Sequence, residues 1–418
     1  MFGFFSRKPK KTSGQPATPS AGQSEVHLPL PIVVRRSAVE AAMDEPFELV
    51  FAVERFIQTM TSEGVYHYSE ISPKAMQVYH ADLYSAEVKN GGHSQFIHNA
   101  GQEIDAIIAS ARAGLASMGA KEQLATLEKM SVWVAEHPDE AAGQTGFEGG
   151  RDDFLDTLDD AFYDADEAEP MQRLTAHWIA SWPDLKIVDD DDYDDAIYQL
   201  VMANPQRAGR LLHRSVTKLA RQMIGWRAVG VGLACARLSP PEVKLAFGMA
   251  RVLNVEGEQQ MTYQLRTSAK EPRLCVVTDA HAAIYEYIAQ EDPPIVRAGE
   301  NLLGANAPRV GTRLARVEAS EITTVVNLAE EYHAPVAIDL LLRKAGFDPT
   351  DAIVSANSVV PKDEGAVLNW VVIAGGKAFF IQSSPNGSAL LRGKDDAKLA
   401  EAWMPELEEH FARSAAAG

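Results

Sequence analysis

Apolar residues recur at helical intervals from Pro46 onward. Phe47, Val50, Val53, Ile57 and Met60 form one stripe at spacings of three and four, predicting an amphipathic helix that Gly64 ends. Ser72-Pro73 opens a second in the favoured order, cap then proline, with Met76, Tyr79, Leu83 and Val88 on its buried side. The same periodicity predicts helices over residues 92–99, 103–118, 121–136, 152–167 and 171–182. Residues 196–255 read as mostly helical, with Pro240-Pro241 opening a segment that ends near Asn254. The pattern then shifts to strands over 260–267, 273–278 and 282–287. Helices follow over 322–331 and 336–344, the second stopped by Gly346. Residues 366–374 and 377–382 form a hairpin signal around Gly375-Gly376, since two glycines suit a tight turn with positive φ. Asn386-Gly387 predicts a further turn into 389–392, and a last helix is predicted over 396–413.

These elements define a multi-domain chain: an all-α N-terminal helical domain followed by an α+β C-terminal region. The expected divisions are a basic leader and linker over 1–40, a helical domain over 41–188, and an α+β domain over 189–418. A helical subdomain over 196–255 ahead of an α+β part over 256–418 is the alternative division. Asp189–Asp195, six aspartates around Tyr193, reads as the boundary. Residues 12–24 are a Ser/Thr/Pro/Gly/Gln linker that cannot bury a core. Phe2, Phe4 and Phe5 beside a basic cluster make either an unstructured leader or a weak membrane-surface contact.

Charge changes this picture more than composition does. The 418 residues carry a net charge of −19, and residues 139–195 alone hold nineteen carboxylates against Arg151, Arg173 and Lys186. Such a block is solvated, metal-loaded or aimed at a basic partner, because a fixed negative field attracts cationic surfaces at long range. On a helical wheel, Asp153, Asp156, Asp160, Asp164 and Glu167 fall within one arc of about 80°. Asp152, Asp159 and Asp166 flank that arc, and Phe154, Leu155, Leu158, Ala161, Phe162 and Ala165 occupy the opposite face. A docked surface helix with a carboxylate face is expected, not an unstructured acidic tail.

The most specific string is Glu87-Val-Lys-Asn-Gly-Gly-His-Ser-Gln-Phe-Ile-His-Asn-Ala-Gly101. It reads as a helix, a corner and a second helix. Asn90 and Gly91 can take the left-handed conformation, and Gly92 permits close approach. Gln95 and Asn99 share a helix face, and Phe96 points into the core. His93 and His98, with Gln95 and Asn99, would make either a hydrogen-bonded structural corner or a polar pocket.

This string resembles the signature of the DMP19-like family. Leu115-Ala-Ser-Met-Gly-Ala120 and Leu155-Asp-Thr-Leu-Asp-Asp-Ala-Phe-Tyr163 resemble its later segments. The resemblance covers about residues 46–182 and departs at His93, where the family carries an aromatic. It implies an all-helical domain and, from the family's namesake, a DNA mimic whose carboxylates imitate phosphates and occupy a DNA-binding protein. Asn90, Gly91, Gly92, Gln95, Phe96 and Asn99 are the positions that carry its corner.

Other chemistry is weakly signalled. Asp190-x-Asp192-x-Asp194 starts like a calcium loop but lacks the glycine and glutamate such a loop needs, so a loose divalent-ion site is the most it offers. Gly230-Val-Gly232 lacks the third glycine of a dinucleotide fingerprint. Cys275 with Asp279 and His281 is a conceivable nucleophilic set, against a buried small hydrophobe. Asp339 is expected to cap a helix or face solvent.

The function expected is that of a non-catalytic interaction or regulatory protein of a bacterial cytoplasm. Its acidic face, Asp152, Asp153, Asp156, Asp159, Asp160, Asp164, Asp166 and Glu167, would meet a basic, nucleic-acid-binding protein. No cofactor, resident metal, direct nucleic-acid binding or transmembrane segment is expected, and the C-terminal region would supply homodimerisation or a second contact. The alternative is an enzyme with its site between the helical and α+β domains.

Overall fold

In a computed structural model, residues 30–146, 150–289, 307–363 and 365–417 are described. The chain divides into two compact units, Met1–Ala203 and Asn204–Gly418.

Among its described residues the first unit is helical apart from two three-residue strands. Its elements are β1 (Val33–Arg35), α1 (Arg36–Ala41), α2 (Pro46–Ser62), α3 (Pro73–Ala100), α4 (Ile104–Met118), α5 (Lys121–Glu136), α6 (Pro138–Ala142), α7 (Asp153–Ala168), α8 (Met171–Ala180), β2 (Lys186–Val188) and α9 (Tyr193–Ala203). Leu49, Val53, Phe56, Ile57 and Met60 of α2 are buried with Val78 of α3 and Ile179 of α8. Phe47, expected on that stripe, is instead exposed and stacks on Phe51 at 5.4 Å. A second cluster joins Tyr84 and Phe96 of α3, Leu115 of α4, Leu127 of α5 and Phe162 of α7.

Two expectations about this unit are corrected. Residues 30–40 are not leader: Ile32, Val33 and Val34 are buried, and β1 pairs in parallel with β2. A run of three branched apolar residues has more to gain by burial than a linker can offer. The aspartate run is also no boundary. Asp189 pairs with Arg36 at 2.7 Å, Asp194 with Arg35 at 2.9 Å, and Asp190 accepts from the Ser37 amide and hydroxyl at 3.1 and 2.5 Å. The expected leader residues on 1–29 lie outside the described residues.

The second unit is α+β. It contains α10 (Arg207–Met223), α11 (Trp226–Ala236), β3 (Lys244–Val255), β4 (Glu258–Thr267), β5 (Arg273–Val277), β6 (His281–Ile288), β7 (Arg309–Glu318), α12 (Ala319–Glu331), α13 (Ala334–Lys344), β8 (Ile353–Lys362), β9 (Gly365–Ala374), β10 (Lys377–Ser384), β11 (Gly387–Arg392), β12 (Lys398–Trp403) and α14 (Met404–Ala415). Two antiparallel meanders run in the orders β3-β4-β5-β6-β7 and β12-β11-β10-β9-β8. From Ala228 to Ala236 α11 is apolar all round because it lies against both sheets. A Cβ on Gly230 would come within 2.8 Å of Ala282 on β6, and one on Gly232 within 2.8 Å of the Ala356 amide on β8. This Gly-x-Gly is a packing device inside a helix.

Four segments here differ from the sequence reading. Residues 244–255 form β3 rather than a helix, so no helical subdomain spans 196–255. Residues 398–403 form β12 rather than the start of the last helix. β7 and β8 had no predicted counterpart.

Candidate interaction site

α3 is two helices merged at a corner. Gly91 (φ −152°, ψ 20°) and Gly92 (φ 79°, ψ −179°) leave helical geometry, and the helix restarts at once. The positive φ falls on Gly92 rather than on Asn90 or Gly91. A Cβ on Gly92 would lie 2.1 Å from Asp159 Oδ2 and 2.7 Å from the Arg151 guanidinium. Glycine is therefore required twice, for its backbone and for what packs on it. Across the bend, Gln95 and Asn99 both donate to Glu87 Oε2, at 2.6 and 2.7 Å. One carboxylate before the corner thus collects two amides after it and fixes the angle. Phe96 packs edge-on against Tyr84, with ring centres 5.2 Å apart.

His93 and His98 do not converge. The His98 ring reaches the Gln144 carbonyl at 2.9 Å, while His93 is fully buried. Asp159 Oδ1 accepts from the His93 amide at 2.7 Å and meets His93 Nδ1 at 2.6 Å. On the other side of the ring, Nε2 lies 2.8 Å from the Tyr84 hydroxyl, which lies 3.0 Å from Thr126 Oγ1. Burial pushes the Tyr84 hydroxyl upward and keeps it protonated. Arg151 closes the network: it gives 2.7 Å bonds to Asp159 Oδ2 and to the Gly91 carbonyl, and a 2.6 Å bond to Asp156. A buried carboxylate is tolerable only with partners of this kind.

Asp159 is thus corrected: it is an interior anchor, 6% exposed, and not part of a wet face. The flank of α7 that carries it turns toward the α3 corner. Asp166 belongs to the same flank, pairing with Lys89 at 2.7 Å and capping α8 through the Met171 amide at 3.0 Å. Asp152 is the N-cap, accepting from the Phe154 amide at 2.9 Å. Asp156 is half-buried on Arg151. Asp153, Asp160, Asp164 and Glu167 remain exposed, with no ion pair among the described residues. Sequence reasoning missed Arg151, Tyr84 and Thr126. The available signal was Arg151 itself, a lone cation just ahead of the acidic helix.

Other candidate chemistry does not assemble. Cys275 is buried, and burial pushes its thiol up to about 12, away from a reactive thiolate. His281 is turned to Thr278 Oγ1 at 3.2 Å. Asp339 is fully buried, not solvent-facing. It accepts from Ser215 at 2.5 Å and Arg343 at 2.8 Å, and meets His410 Nε2 at 2.8 Å. The carboxylate sits at the centre, so no histidine bridges serine and aspartate as acyl transfer requires. Among the described residues no three His, Cys, Asp or Glu side chains are placed to hold a metal ion, and no helix is long and apolar enough to cross a membrane.

The segment that builds the corner, its buried junction and the acidic helix is the part of the chain that a family model matches. Residues 69–182 match the family model described as DMP19-like protein. No curated protein matches the chain, and no solved structure does.

Proposed function

We propose that the protein is a non-catalytic binding protein that presents α7 to a basic, nucleic-acid-binding partner and competes there with nucleic acid. The observation that carries this reading is the sorting of carboxylates on α7. Four are engaged in capping, pairing or the buried junction, and four stand along the solvent side without an ion-pair partner among the described residues. From Asp153 to Glu167 the stripe runs about 21 Å at 1.5 Å per residue. It places roughly one charge per 7 Å, against one phosphate per 3.4 Å of axis on a single DNA strand. The helix alone therefore supplies about half a strand's charge density. Occupation of part of a phosphate-binding surface is what it supports, with neighbouring carboxylates needed for more. The DMP19-like match over the same helix supports the partner class.

Pull-down with the full chain tests this. Retained basic proteins should be released by raised salt, since exposed charges are screened within about 8 Å at physiological ionic strength. They should also be released by added duplex DNA. Retention that ignores both overturns the proposal.

A further inference from the structure

The C-terminal unit holds an open cavity of about 820 Å³, inside the range of small-molecule pockets. Three local devices shape it. After α13, Gly346 turns left-handed at φ +78°, and the Phe347 amide bonds back to the Leu342 carbonyl at 2.9 Å. That turn lays the Phe347 ring on Phe379, with centres 4.8 Å apart. Opposite, the Gly393 amide bonds the Ala378 carbonyl at 3.2 Å. A Cβ at Gly393 would approach that oxygen to 2.6 Å, so glycine lets the β11–β12 turn close on β10. At the third edge Gly375 and Gly376, both with positive φ, deliver Lys377 to the mouth.

The result is an apolar floor of Phe347, Phe379 and Leu399 beneath Lys377, Arg392 and Lys394, with no carboxylate in the lining. The Lys377 ammonium sits 5.3 Å from the Phe347 ring centre. Arg392 gives one nitrogen to Asp395 on its own turn at 3.2 Å. Neither Lys377 nor Lys394 pairs with a carboxylate among the described residues. The last carbonyls of α13 are already taken by the amides of Gly346 and Phe347, which mutes the negative helix end beside the cavity. With Arg392 offset by Asp395, Lys377 and Lys394 remain as like charges over an apolar floor, a field that favours an anion.

We propose that this cavity binds a small organic carboxylate with an apolar body, its head between Lys377 and Lys394 and its body on Phe347 and Phe379. The inference is independent of the α7 reading. Calorimetric titration of the full chain with 2-naphthoate and with decanoate tests it and separates an aryl from an acyl body. Saturable binding of at least one acid is expected, weakened roughly ten-fold or more in Lys377→Gln/Lys394→Gln. Both lysines are exposed, so that variant should melt with the wild type. The uncharged 2-naphthalenemethanol should bind no better than 2-naphthoate binds to the double variant, and Phe347→Ala should weaken acid and alcohol alike. The proposal is overturned if neither acid binds saturably, or if the double variant binds the acids as tightly as the wild type.

Discussion

Gly91 and Gly92 are neighbours with different jobs, and the difference is measurable. A methyl on Gly91 would lie 2.1 Å from the end of the Gln95 side chain, which can swing away at the loss of its bond to Glu87. Gly91→Ala should therefore cost about 1 kcal/mol. Gly92→Ala meets a positive φ and a buried carboxylate that cannot move, and should cost ~3 kcal/mol or more. Chemical denaturation of both variants checks the order. His93 offers a second test. The resemblance places an aromatic there, and His93→Phe would remove one hydrogen-bond partner from each of two buried groups, the Asp159 carboxylate and the Tyr84 hydroxyl. We expect a loss of ~3 kcal/mol, with Asp159→Leu added on top costing less than it does alone. Additive costs would show that the two side chains do not depend on each other. None of this pairing was legible in the sequence, because residues 93 and 159 are joined by the packing of α7 on α3, not by a local pattern. The glycines were legible as a corner, since only backbone freedom was at issue.

At the scale of elements, α2 to α5, α7 and α8 were readable because each carries a stripe and a stop signal, whereas the short α1 and α6 carry too few turns to show a stripe. In the second unit, β3 and β12 were misread. Lys244–Val255 and Lys398–Trp403 are rich in Leu, Ala, Met, Lys and Glu, good helix formers. Pairing with β4 and β11 overrides that preference. The α2–α3 contact carries its own pH dependence. Burial, then a hydrogen bond with Asp82 and its charge, push the Glu54 carboxyl from 4.5 up to about 8. The folded state thus keeps a proton that the unfolded chain releases. Stability present below pH 4.5 is lost as pH rises through about 8. Glu54→Gln holds the neutral form permanently. Its melting temperature should match the wild type below pH 4.5 and exceed it above pH 8, and equal slopes against pH would contradict this.

Across the whole molecule, the charge of −19 is less available than its sum implies. Asp184, Asp189, Asp190 and Asp194 are joined to Lys74, Arg36, Ser37 and Arg35. The sequence showed how much charge the acidic block holds but not which of its members are paired, because their partners lie in distant segments. What remains on α7 is a stripe of four carboxylates on a scaffold fixed by the buried Asp159 junction. Position, and not net charge, should then decide binding. The most direct test compares two quadruple variants of equal charge in the same DNA-competed, salt-dependent capture assay. One is Asp153→Asn/Asp160→Asn/Asp164→Asn/Glu167→Gln on α7. The other is Asp189→Asn/Asp191→Asn/Asp192→Asn/Asp195→Asn before and within α9. The account predicts that the first loses the basic partner while the second retains it. Equal behaviour of the two would contradict it.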